Sequence, residues 1–225
     1  MIFDTEDDER VMINRLVIFG DSYSTHKDYI PAGYPHYYCT EGRDVSQPVT
    51  KMRPEETWWW QFIEHVGAQL VLNDSWSGST IGYTGYLGDC STSSSFIYRY
   101  RKLLEKNFFG ENKVDTFIIF GGTNDSWSNA PLGEVKYSDF CENDLYCVLP
   151  AICHFMTAIK NDNPEARVIF IGNCDIKREI LDCMKDAANK IGAEFIELSD
   201  VDKIEGHPTV LGMKQIYEQV IGKIN

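Results

Sequence analysis

The 225-residue chain contains no apolar run approaching the roughly 20 residues a helix needs to cross a bilayer. Its amino terminus also lacks the basic-then-apolar order of a secretory leader, so a soluble, cytoplasmic protein is the expectation for the sequence as given. Clustered positive charge is missing as well. Twenty-one basic residues face 34 acidic ones, for a net charge of −13, which excludes the electrostatic footprint of a nucleic-acid binder and gives no attraction to anionic lipid. Neither nucleic acid nor membrane is expected as a partner. The densest charge block, Asp4 through Arg10, reads as a solvated tail. Cysteine is present but unpatterned: Cys39, Cys90, Cys141, Cys147, Cys153, Cys174 and Cys183 make an odd count with no C-x-x-C pair. The even spacing of Cys141, Cys147 and Cys153 advances about 240° per step on a helix and scatters the thiols. No metal and no cofactor is expected. Internal repeats and low-complexity linkers are also lacking, and the length suits one core, hence a single domain over 1–225.

What is there is an alternation of short apolar runs with stretches of helical period. The runs Leu16–Phe19, Gln69–Leu72, Thr116–Phe120, Arg167–Ile171 and Glu194–Leu198 are nearly unbroken, as in a parallel sheet covered on both faces. Helices are expected over about 55–66, 96–106, 145–160 and 176–191, with a last one opening at Pro208. The fold class is therefore α/β, a doubly wound, flavodoxin-like five-stranded parallel sheet in the order 2-1-3-4-5. Two connections, near 23–54 and 126–143, are too long to be simple links, and their aromatic content argues for order.

In such a sheet, ligands bind outside the carboxyl ends of the strands, near the point where the order reverses. Strand one ends in Gly20-Asp21-Ser22, strand two in Asn73-Asp74-Ser75-Trp76-Ser77-Gly78, and strand three in Gly121-Gly122-Thr123-Asn124-Asp125. A serine, a flexible glycine and an asparagine thus converge on one volume. A serine hydroxyl becomes a good nucleophile only when a base takes its proton. Among the histidines, His65 and His154 sit inside helical patterns and read as structural, and His26 and His36 in the first long loop are minor candidates for touching substrate. His207 follows strand five. It must cover about 14 Å to reach strand one, and ten residues of chain extend to roughly 33 Å, so Ser22 is within its range.

Gly20-Asp21-Ser22, Asn73-x-Ser75-x-Ser77-Gly78, Gly122-x-Asn124-Asp125 and His207-Pro208 resemble, in order and spacing, the four sequence blocks of the SGNH (GDSL-like) hydrolases. Each alone is a common turn or cap; together they span nearly the whole chain. The Gly-x-Ser-x-Gly elbow of α/β-hydrolases is not found around Ser22. The resemblance implies that Ser22 is the nucleophile and His207 its base. It implies an oxyanion hole made of the Ser22 N–H, the Gly78 N–H and the Asn124 side-chain amide. Asp21 and Asp125 read as turn and cap residues.

One departure concerns the acid. The family's aspartate three residues before the histidine is Ile204 here, leaving Asp202, Glu205 or a backbone carbonyl to orient the imidazole, with Asp202 the favoured replacement. Around these blocks lie Tyr23, Tyr29, Tyr34, Tyr37, Tyr38, the run Trp58–Trp60, and Trp76 and Trp127. Consecutive helical residues cannot share a face, so the Trp58–Trp60 run reads as packing, whereas Trp76 and Trp127 are candidate substrate-binding rings. The expected partner is a small acyl ester, with an acylated sugar the attractive case. Aliphatic residues are scarce in both insertions, which points to short acyl groups and acetyl above all. An acyltransferase would use the same residues, a lipase or thioesterase would need a more aliphatic site, and a non-catalytic binding domain would need neither Ser22 nor His207.

Overall fold

A computed structural model describes residues 12–43 and 48–224. The acidic Asp4–Arg10 block lies outside the described residues. The chain runs β1 (Arg15–Gly20), a 3-10 turn (Ser22–Ser24), α1 (Trp58–Val66), β2 (Gln69–Ser75), and a small hairpin of β3 (Thr84–Gly85) and β4 (Gly88–Asp89). Next come α2 (Phe96–Glu105), α3 (Phe108–Glu111), β5 (Thr116–Phe120), α4 (Thr123–Trp127) and α5 (Val148–Asp162). The last part holds β6 (Arg167–Gly172), α6 (Arg178–Ile191), β7 (Glu194–Glu197), a second hairpin of β8 (Lys203–Ile204) and β9 (His207–Pro208), and α7 (Val210–Ile224).

The five long strands form one all-parallel sheet in the order β2-β1-β5-β6-β7, the doubly wound order read from the sequence. Alternate residues of each central strand feed opposite cores. Val17, Phe19, Phe117, Ile119, Val168 and Phe170 pack under α2, α5 and α6. Leu16, Ile18, Ile118, Phe120, Ile169 and Ile171 pack against α1 and α7. Covering both faces is what lets the strands be apolar on every residue. Trp58 and Trp59 are fully buried in the second core, and Trp58 meets Phe120 edge-on at 5.7 Å, in keeping with the packing role read for this run.

Helix starts differ from expectation by a turn or less, and those of α1 and α7 have a local cause. Glu56 closes a capping box on the Arg53 backbone, so 54–56 forms a 3-10 turn and α1 begins only after Thr57, whose hydroxyl accepts from the Trp60 N–H. Pro208 does not open α7. Its carbonyl accepts from the Tyr38 hydroxyl at 2.8 Å and it pairs with Lys203 in β9; Thr209 caps the helix instead, accepting from the Gly212 N–H at 3.2 Å.

The strand ends come level at Gly20, which pairs with Ser75 on one side and Phe120 on the other. Gly20 has no room for a side chain: a Cβ there would lie 2.4 Å from Ser75 Oγ and 2.5 Å from Ser24 Cβ. Beneath this edge sits Arg99 of α2, whose guanidinium is buried with Asp74 and bonds its carboxylate at 2.8 Å and its carbonyl. It also donates to the Ser94 carbonyl at 3.0 Å, the Ser79 hydroxyl at 3.2 Å and the Gly20 carbonyl at 3.4 Å. Removing one member of a buried ion pair strands the other charge without a partner. Arg99→Met is therefore expected to lower stability by about 3–5 kcal/mol, read as a fall in the urea midpoint; a midpoint within error of wild type would show that the pair is dispensable.

Candidate active site

Ser22 opens the 3-10 turn that ends β1. Asp21 caps that turn, accepting from the Tyr23 N–H at 3.0 Å, and as first residue of the turn Ser22 keeps its own N–H free of any partner within it. Ser22 Oγ lies 3.0 Å from His207 Nε2, bridging residues 185 positions apart. The other ring nitrogen, Nδ1, lies 3.2 Å from the Glu205 carbonyl oxygen. A carbonyl only accepts, so Nδ1 carries the proton and Nε2 is left with the lone pair that can take the Ser22 proton.

The favoured orienter, Asp202, does not reach the imidazole. In the β8–β9 hairpin Ile204 pairs with His207 and Lys203 with Pro208, so Asp202 falls opposite Thr209, two residues from the ring. There its carboxylate accepts from the Thr209 hydroxyl, its carbonyl from the Thr209 N–H at 3.1 Å, and its N–H donates to Gln215 at 2.7 Å. Asp202 thus fastens the start of α7. Glu205 serves through its carbonyl rather than its carboxylate, because Glu205 and Gly206 both take positive φ (50° and 77°), as in a type I′ turn that aims this carbonyl at Nδ1.

Aromatic residues of the first insertion hold this turn in place. The Tyr23 hydroxyl donates to the Gly206 carbonyl and itself accepts from Asn173, which in turn accepts from Lys203 at 2.7 Å. Tyr38 holds Pro208, as above, and Tyr37 stacks on the imidazole with ring centroids 3.6 Å apart. Burial pushes the His207 pKa below the ordinary imidazole value; Arg43 and Lys203 push the same way, and the Glu205 carbonyl opposes them. His26 is buried against the Met52 carbonyl, His65 bonds Tyr217, and His154 packs on Phe140, so these three are spent on structure.

Gly78 and Asn124 are candidate donors for a developing oxyanion. Gly78 has a φ of 84°, which suits glycine, and a Cβ there would point into open space rather than into protein. No acceptor among the described residues takes its N–H. Asn124 is buried; its Nδ2 donates to the Ser79 carbonyl at 2.9 Å and its Oδ1 accepts from the Tyr86 hydroxyl at 3.1 Å. That fixes the amide's sense and leaves one N–H to give. The Gly78 loop is tied down at its far end by Asp125, which accepts from the N–H groups of Ile81 and Gly82 at 3.0–3.2 Å. Burial raises the carboxyl of Asp125 to about 6 and that of Asp21 to about 7, each against the backbone hydrogen bonds it accepts. A cleft of about 440 Å³ opens beside Gly78, lined among others by Pro35, Trp76, Tyr86, Leu87 and Ser94. Trp76 packs on Tyr34 at 4.5 Å, and Trp127, 37% exposed, stands edge-on to His207 at 6.3 Å. Tyr37, Tyr86 and Arg99 were not singled out as site residues in the sequence. Only the crowding of tyrosines next to Ser22 signalled the first of them. Among the described residues no group of three or more His, Cys, Asp or Glu could hold a metal ion, and no helix is long and apolar enough to cross a membrane.

The model of the GDSL-like Lipase/Acylhydrolase family matches residues 14–224. Among solved structures, the chain is similar to proteins described as GDSL-like lipases from Bacteroides uniformis and Bacteroides ovatus. The first is 38% identical, with a TM-score of 0.84 over 93% of this chain and 94% of that one. The second is 34% identical, with a TM-score of 0.83 over 93% of this chain and 97% of that one. An acetyl xylan esterase from Butyrivibrio proteoclasticus shares the fold alone, at 17% identity and a TM-score of 0.60 over 95% of this chain and 63% of that one. No curated protein matches the chain.

Asp202→Asn keeps an acceptor for Thr209 and is expected to leave kcat within about twofold of wild type; a loss of orders of magnitude would return the orienting role to Asp202. Ile204→Asp, by contrast, sets a carboxylate directly across the hairpin from His207, where paired side chains lie about 5 Å apart. An anion there favours the imidazolium, raises the His207 pKa, and should move the acid limb of kcat/KM upward by about one pH unit. An unmoved limb would show that the two side chains do not face each other.

Proposed function

The chain belongs to the GDSL-like lipase/acylhydrolase family, and we propose that it is a serine ester hydrolase of short-chain acyl esters, acetyl above all, carried on carbohydrates. The observation that carries this reading is the 3.0 Å approach of Ser22 Oγ to the free lone pair of His207 Nε2.

In the proposed reaction, Ser22 Oγ attacks the ester carbonyl as its proton passes to Nε2. The carbonyl oxygen becomes an oxyanion and takes hydrogen bonds from the N–H groups of Ser22 and Gly78 and from Asn124 Nδ2, donors held in place before the charge appears. The imidazolium then gives its proton to the departing alcohol oxygen as the C–O bond breaks, leaving an acyl-serine. Water repeats the sequence: His207 takes its proton, the hydroxide adds to the acyl carbon, and the carboxylic acid leaves as Ser22 recovers its hydrogen. Because Nδ1 keeps its proton on the Glu205 carbonyl throughout, this is a Ser-His dyad.

The departing alcohol must lie on the His207 side, where the exposed indole of Trp127 offers a flat apolar face. Such faces suit the apolar faces of sugar rings. The cleft beside Gly78 mixes Trp76, Tyr86 and Leu87 with Ser77, Thr80, Asp89 and Ser94; Leu87 is the one long aliphatic side chain in this lining, which gives a long acyl chain little to pack against.

Ser22→Ala is expected to cut hydrolysis by a factor of at least about 10³ with the fold intact by circular dichroism; near-wild-type turnover by the folded variant would sink the assignment. Across p-nitrophenyl esters from acetate to decanoate, kcat/KM should be highest at acetate, and the enzyme should release acetate from acetylated sugars. A rise with chain length would transfer the function to a lipase or thioesterase.

A further inference from the structure

We propose that Tyr37 takes over for His207 the task that an aspartate performs in a Ser-His-Asp triad. Its stacked ring holds the base in line with Ser22 and stabilises the imidazolium formed when Ser22 gives up its proton. The inference deepens the hydrolase reading and rests on it.

The two rings lie 3.6 Å apart with their planes 6° from parallel, and Tyr37 is only 9% exposed. The electron-rich face of an aromatic ring attracts a cation within about 6 Å, more strongly where water is excluded. A neutral imidazole gains less from it, so the stack favours the form that appears only as the proton moves, which is the condition for catalysis rather than mere binding.

The surroundings show why such a partner matters. Ser22 faces Nε2, and the Glu205 carbonyl faces Nδ1. Tyr23 lies tilted at 5.6 Å and Trp127 edge-on at 6.3 Å, while the charges of Arg43 and Lys203 both oppose a cation on the ring. The charges of Glu205 and Arg43 both act on Tyr37, the Arg43 guanidinium lying 5.8 Å from its ring centroid, and no carboxylate among the described residues hydrogen-bonds the imidazole. The Tyr37 hydroxyl has no hydrogen-bond partner among the described residues, so what this residue presents to His207 is its ring. That ring is fixed in the same frame as the base: the Tyr37 N–H donates to Thr25 Oγ1 at 2.8 Å, and the ring packs edge-on at 4.9 Å against Tyr38, which holds Pro208. Tyr37 is therefore a positioning residue that acts on substrate through His207.

The test compares Tyr37→Phe, Tyr37→Leu and a series of increasingly fluorinated phenylalanines at position 37, using p-nitrophenyl acetate over a range of pH. Tyr37→Leu is expected to lower kcat on the order of 10- to 30-fold, with KM changed less than about threefold. Its acid limb should move to lower pH as the imidazolium loses its partner. Tyr37→Phe should restore most of the loss. If the ring merely fills space, the smaller leucine admits water and relieves burial, so an acid limb that stays put or moves up overturns the proposal. Fluorination keeps the ring's shape while draining its face, so kcat should fall stepwise along the series. A flat series overturns the proposal even if the leucine variant does not fold. Ser22→Ala in the same assay separates the two levels: retained turnover there defeats the hydrolase reading itself, whereas an inactive Ser22→Ala beside a flat series removes only the role of Tyr37.

Discussion

The guanidinium of Arg99 joins four segments at the carboxyl edge of the sheet. It bonds the end of β1 through Gly20, the end of β2 through Asp74, the Gly78 loop through Ser79, and the start of its own helix through Ser94. A buried cation is tolerable only when its donors are paired, and here they are spent on carbonyls, a hydroxyl and a carboxylate. The Gly78 loop is thus gripped at Ser79 from below and at Ile81 and Gly82 by Asp125. Asn124 fastens its amide to the same loop through the Ser79 carbonyl. The Gly78 loop and the Asn124 amide are therefore parts of one braced unit.

The opposite wall is braced by different chemistry. His207 sits on a two-residue hairpin that would have little stability alone, and the insertion after β1 supplies what it lacks. Tyr23 and Tyr38 each place a hydroxyl on a carbonyl of the turn, at Gly206 and Pro208. Aromatic residues that in the sequence suggested a sugar platform are in large part scaffold: Tyr23 and Tyr38 are fully buried, and Trp76 and Trp127 stand at the rim.

Much of this was legible in the sequence because parallel strands buried on both faces write themselves as unbroken apolar runs. From five such runs the order of the sheet follows, and from the order the meeting of Ser22, Gly78 and Asn124 at one edge. His207 could be chosen because it alone of the histidines had both position and reach. Asp202 was misplaced for a reason no spacing rule contains: the hairpin's register decides which side chain faces the imidazole, and Ile204, not Asp202, occupies that place. Pro208 read as the first residue of a helix because its own geometry permits it, yet pairing with Lys203 and a bond from Tyr38, 170 positions away, hold it in a strand. Arg99 was hidden in an amphipathic helix pattern, where a single buried arginine looks like one more polar position.

The acceptor that sets the histidine's tautomer is a main-chain oxygen, and this alters what mutation can do to the protein. A carboxylate can be deleted by one codon change; the Glu205 carbonyl belongs to every amino acid that could occupy that position. Only a change that refolds the Glu205–Gly206 turn, where both residues take positive φ, can take the acceptor away. Heredity therefore guards this part of the site through a backbone shape instead of a side-chain identity, and glycine, asparagine or aspartate at 205 would be natural descendants. A genome survey that scores relatives by the missing aspartate would class such sequences as decayed while their imidazole stayed correctly poised.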